Sequence, residues 1–135
     1  DGFWQDVMHA PGSTHVGVGA AILQRFPWWR LEPMPQPAAT EAGRPFSLAA
    51  QVPSEWILVY LPCNCMPSQV LGNQPGWGEP FPLAVGPAGN FSAVYINPRT
   101  GVNHELGDVA AVDGQWTPPR KPTMEDWLLV LEAKR

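Results

Sequence analysis

Two stretches, Glu55-Trp56-Ile57-Leu58-Val59-Tyr60-Leu61 and Asp126-Trp127-Leu128-Leu129-Val130-Leu131, decide the fold. Both are strand-length, rich in β-branched and aromatic residues, and apolar at odd and even positions alike. A strand with one wet face alternates apolar and polar residues, because successive side chains point to opposite sides of the sheet. These two do not alternate, so both of their faces must be covered. The outer face of a two-sheet sandwich is ordinarily exposed. The cover therefore comes from another part of the chain or from a neighbouring domain.

The chain offers one such cover. Val16, Ala20, Leu23 and Phe26 recur at helical spacing, with Ile22 alongside, and predict a helix over residues 13–26. Ser13 is placed to cap its start and Pro27 to stop it. Gly17 and Gly19 each weaken it by about 1 kcal/mol relative to alanine, so packing must hold it. The helix is expected to lie against the two apolar strands, with Leu23 in the contact.

After Pro45 the segments become short and separated by turn residues, giving candidate strands at 46–51, 55–61, 69–71, 81–85, 91–96, 102–106, 109–112, 115–117 and 126–132. Asn97-Pro98-Arg99-Thr100-Gly101 reads as a turn, since proline presets φ and glycine accepts a left-handed backbone. Asp113-Gly114 is a second hairpin signal. The expected fold is mainly β: an antiparallel β-sandwich with one N-terminal α-helix packed against it.

Composition agrees with that class. The 17 prolines and 13 glycines oppose a helical bundle, and 135 residues with seven tryptophans suffice for one domain with its own core. A hydrolase barrel needs about 250 residues. A net charge of −4 with only eight scattered Lys and Arg leaves no basic stripe for nucleic acid. No apolar run approaches the roughly 20 residues that span a bilayer, so no membrane partner is expected. The sequence opens at Asp1 with neither an initiator Met nor a signal segment, as expected of a processed product or an excised piece.

The chemistry-bearing residues point away from catalysis. Glycoside hydrolysis needs two carboxylates flanking a cleft, whereas the acidic residues here fall mostly at predicted ends and turns. There is no Gly-x-Ser-x-Gly turn, and Gly17-Val18-Gly19 lacks the third glycine and preceding strand of a phosphate loop. Cys63 and Cys65 are too close in sequence for ordinary disulfide geometry and read as two thiols in a turn. His9, His15 and His104 show no ligand-like spacing to them; a three-histidine metal site in a small stand-alone enzyme is the outlying alternative. No cofactor, metal or catalytic residue is expected.

Binding is better represented. Sugar rings stack their apolar faces on tryptophan while polar neighbours bond their hydroxyls. Trp77 sits in Pro75-Gly76-Trp77-Gly78-Glu79-Pro80 without apolar neighbours to bury it, and is the first candidate platform. Trp116, beside the Asp113-Gly114 turn, is the second, with Asn97 and Arg99 as polar contacts; the competing reading has Trp116 closing the sandwich edge and the Asn97 turn serving only conformation. Trp28, Trp29, Trp56 and Trp127 read as core or inter-domain packing residues.

Several stretches taken in order resemble a known family. They are Pro11-Gly12 through the helix to Pro27-Trp28-Trp29-Arg30-Leu31, Trp56 to Pro62, Tyr95-Ile96-Asn97-Pro98-Arg99-Thr100-Gly101, Gly114 to Pro119, and Asp126 to Leu131. Together they resemble the C-terminal β domains grouped as the "collagen-binding domain of a collagenase", which follow glycoside-hydrolase-like (apiosidase-like) barrels. The resemblance implies that residues 1–33 correspond to the last helix of a barrel and its exit, 34–44 to a connector and 45–135 to the β-sandwich module. It also implies that the hydrolytic carboxylates lie outside this chain, in an adjacent catalytic domain. The module is then an extracellular accessory domain whose ligand is a polysaccharide or, alternatively, collagen or another matrix protein. The Cys63-Asn64-Cys65 segment departs from the glycine-rich or polar turn expected at that point of the family pattern.

Overall fold

The two apolar stretches lie side by side. In the computed structural model, which describes residues 7–34, 48–61, 82–86 and 89–134, they form strands β3 (Trp56–Leu61) and β8 (Trp127–Ala133). They pair antiparallel from Trp56↔Glu132 to Leu61↔Trp127. The other strands are β1 (Glu32–Pro33), β2 (Leu48–Val52), β4 (Leu83–Ala84), β5 (Asn90–Ile96), β6 (Asn103–Ala110) and β7 (Gln115–Trp116). Six of them build one sheet in the order β1-β2-β3-β8-β5-β6, with every neighbouring pair antiparallel. The pair β4-β7 forms a second, small sheet.

Strand parity sorts the core into two layers. Ile57, Val59 and Leu61 of β3, Phe91, Ala93 and Tyr95 of β5, and Trp127, Leu129 and Leu131 of β8 share one face and pack with Leu83 and Trp116 of the small sheet and with Val85 just after β4. This is the sandwich interior. Leu58, Val130 and Ile96 point the opposite way and meet Ile22 and Phe26, with Trp56, Val94 and Leu128 around them. The expected cover is therefore present: helix α1 (Pro11–Leu23) and the turn after it lie on the outer face of the large sheet.

The helix differs from its sequence reading in two ways. Its first residue is Pro11, with Ala10 at the cap, and Ser13 does not cap: its Oγ donates to the Ala10 carbonyl at 2.8 Å. Proline is suited to that first position because its missing N–H has no intrahelical partner there. Secondly, the docked residue is Ile22, 2% exposed, while Leu23 is 43% and Val16 73% exposed. A helix turns by about 100° per residue, so Val18 and Ile22 form one stripe, and Val16, Ala20 and Leu23 another about two-fifths of a turn away. Phe26 joins the first stripe because the helix ends at Leu23 and tightens, Arg25 N donating to Ile22 O and Phe26 N to Leu23 O. Its ring meets Trp56 edge-on at 5.1 Å.

The sheet edges also depart from expectation. The stretches read as separate strands at 102–106 and 109–112 are largely one strand, β6, carrying a bulge. Ala93 pairs with Gly107 and Val94 with Glu105, so Leu106 is the extra residue, and Gly107 turns with φ +78°. At the other edge Glu32–Pro33 form a short strand: they pair with Gln51 and Ala50, and Met34 N donates to Ala49 O. Proline is tolerated at that position because an edge strand leaves one row of donors unused. The candidate strand 69–71 lies outside the described residues.

Candidate functional site

The Asn97–Gly101 turn joins β5 to β6 and is built by its own side chains. Asn97 Oδ1 accepts from Arg99 N at 3.0 Å, Asn97 O accepts from Gly101 N at 2.8 Å, and Gly101 takes φ +74°. Arg25 at the helix exit reaches the same turn, donating to Gly101 O and to Asn103 Oδ1. The turn is thus tied to the helix as well as to the sheet.

Arg99 is engaged from the other side. Its Nη2 lies 2.5 Å from Glu125 Oε2, which also accepts from Thr123 Oγ1, while Lys121 Nζ donates to Glu125 O. Thr123 Oγ1 in turn accepts from Trp127 Nε1 at 3.1 Å. Asn97 and Arg99 therefore come together, Asn97 closing the turn itself and Arg99 tying it to Glu125 of the 121–127 segment. Trp116 sits in the second sheet opposite Leu83, half-buried and packed against the sandwich core. Its hairpin is the expected one, with Asp113 at φ 52° and Gly114 at φ +75° bridging Val112 and Gln115. Trp77, Cys63 and Cys65 lie outside the described residues.

Tyr95 was not singled out by the sequence, and the structure makes it a central polar contact. It is 1% exposed, its hydroxyl donates to Pro119 O at 2.6 Å, and its ring meets Trp127 edge-on at 6.2 Å. Burial pushes the phenol up to about 12, against an ordinary value of 10.0. Because the folded state holds the phenol neutral, its contribution is complete below the unfolded value and is lost as pH rises through the folded one. Urea denaturation is expected to show wild-type stability falling more steeply than that of Tyr95→Phe between about pH 10 and 12. At neutral pH the same substitution costs about 1 kcal/mol, the worth of the lost hydrogen bond.

Three of the described acidic groups, Glu55, Glu125 and Asp108, pair with cations. Arg30 forks onto Glu55 at 2.7 and 3.0 Å, which raises the arginine's already high pKa through the hydrogen bonds and charge of Glu55. Lys134 pairs with Asp108 beside an open concavity of about 530 Å³ lined by Asn90, Asp108, Val109, Ala110 and Lys134. Among the described residues, Asp108 is the carboxylate of that lining. Among the described residues no three His, Cys, Asp or Glu side chains gather as a metal site, and no helix is long and apolar enough to cross a membrane.

The architecture is similar to part of two solved glycoside hydrolases. One, described as a glycoside hydrolase, superposes with a TM-score of 0.73 at 14% identity over 99% of this chain and 28% of its own. The other, a glycoside hydrolase family 5 protein from Bacteroides vulgatus, gives 0.67 at 15% identity over 98% of this chain and 26% of its own. This chain therefore spans little more than a quarter of either. At such identity the likeness is one of fold. No family model and no curated protein matches the sequence.

Proposed function

We propose that this chain is a non-catalytic accessory module of an extracellular carbohydrate-active protein, and that it contacts polysaccharide while hydrolysis is carried out by a separate catalytic domain. The observation that carries this reading is the asymmetry of coverage: nearly all of this chain matches about a quarter of each glycoside hydrolase. The pairing of Glu55, Glu125 and Asp108 with Arg30, Arg99 and Lys134 supports it, because a carboxylate bound to a surface cation is not poised opposite a second acid across a cleft.

With Asn97 and Arg99 occupied by the turn and Trp116 packed on the core, Trp77 remains the proposed stacking residue. The purified chain is expected to be retained on insoluble polysaccharide without hydrolysing it. Trp77→Ala should weaken retention by about fivefold or more, the worth of roughly 1 kcal/mol of aromatic contact. Turnover by the chain alone would remove the non-catalytic reading. Retention on collagen but on no glycan would replace polysaccharide with a matrix protein as the ligand, and retention unchanged by Trp77→Ala would remove that residue from the contact.

A further inference from the structure

The helical spacing most evident in the sequence, Val16-Ala20-Leu23, marks a face of α1 that the sheet does not use. From Pro11 to Leu23 the helix holds no Asp, Glu, Lys or Arg, yet apart from Val18, Gly19 and Ile22 its residues are exposed. Helices on a protein surface ordinarily keep charged or strongly polar side chains on the free side, and a helix apolar on both sides is buried on both. Ten large apolar side chains are exposed among the described residues, and six of them lie between Val7 and Trp29: Val7, Met8, Val16, Leu23, Trp28 and Trp29. Trp28 is 53% and Trp29 71% exposed, and both follow Leu23 within two hydrogen-bonded turns.

We propose that this charge-free face is the seam of the module: Val16, Ala20 and Leu23, with Trp28 and Trp29, pack against the catalytic domain of the same polypeptide. The inference rests on the accessory-module reading above. Its occupant follows from the matched glycoside hydrolases, whose chains include the counterpart of this helix and continue for nearly three quarters of their length beyond the match. A domain tethered in the same chain is at high effective concentration, so a modest apolar seam is enough to hold it. The geometry of the tryptophans disfavours a glycan on this face. Their rings stand 85° apart at 6.2 Å, so they offer no common plane for a sugar chain.

The test is hydroxyl-radical footprinting of the complete polypeptide that the gene encodes, read by mass spectrometry. Val16 and Val112 form an internal pair, the same residue type at 73% and 72% exposure. A docked seam labels Val16 several-fold more slowly than Val112, at every protein concentration, and protects Trp28 and Trp29 with it. Equal labelling of the two valines overturns the proposal, as does a gene encoding nothing beyond these residues. Protection that disappears on dilution assigns the face to a second copy, and protection of the tryptophans only on adding oligosaccharide assigns it to a glycan; either overturns the seam. A polypeptide that hydrolyses glycosides yet labels Val16 freely loses the seam alone, whereas one that hydrolyses none loses the functional reading.

Discussion

Ile22→Asp is expected to leave this chain at least about 4 kcal/mol less stable, whereas Leu23→Asp, one residue along, changes stability by no more than about 1 kcal/mol. Ile22 is 2% exposed and closes the helix against Leu58, Ile96 and Val130. An aspartate there loses the buried methyl groups and sets a carboxylate where nothing in the described cluster bonds to it. Leu23 is 43% exposed, and a charge at its tip remains in water. Since small domains are stable by only about 5–15 kcal/mol, the first substitution removes much of the margin. The deficit should narrow in acid. The buried carboxyl has a raised pKa in the folded state, so its neutral form is the one the fold tolerates. Relative stability then recovers as pH falls toward the unfolded value of about 4. Chemical denaturation followed by far-ultraviolet circular dichroism at two pH values reads both effects. Equal losses for the two variants would show that the helix is not docked through Ile22.

Trp127→Ala is expected to cost about 3–5 kcal/mol, while Trp29→Ala in the same chain costs less than about 0.5 kcal/mol. Trp127 is 6% exposed, pairs with Leu61 across β3 and β8, stacks edge-on against Tyr95, and donates from Nε1 to Thr123. Its removal opens a cavity at the end of the sandwich and frees the segment that Tyr95 and Arg99 also hold, through Pro119 and Glu125. Trp29 is 71% exposed and closes no such space. Urea midpoints of the two variants make the comparison, and a Trp127→Ala midpoint near wild type would mean that this end of the sheet is not a fixed part of the core.

The site was less legible than the fold. Asn97 and Arg99 stand out in sequence because a polar turn resembles a polar binding loop; the bond from Arg99 N to Asn97 is local to that turn, but Glu125, the partner of the Arg99 side chain, is brought near only by the folded chain. Tyr95 went unmarked because an alternating strand gives no sign that one hydroxyl will find a carbonyl 24 residues away. Arg30 and Glu55 meet across 25 residues for the same reason.

What the sequence determined by itself was local. The apolar runs at 56–61 and 127–131, the Asn97–Gly101 and Asp113-Gly114 turns, and a helix before Pro27 all follow from side-chain alternation and backbone preference, which act over a few residues. The absence of alternation in β3 and β8 already required a cover on each face. Tertiary structure decided which cover and which residues. Strand order placed β8 between β3 and β5, which aligned Leu58, Val130 and Ile96 into one groove floor. That floor selected the Val18-Ile22 stripe over the Val16-Leu23 stripe. Both are apolar and equally helical, and a periodic pattern cannot rank two faces of one helix until a surface of definite shape is set against them.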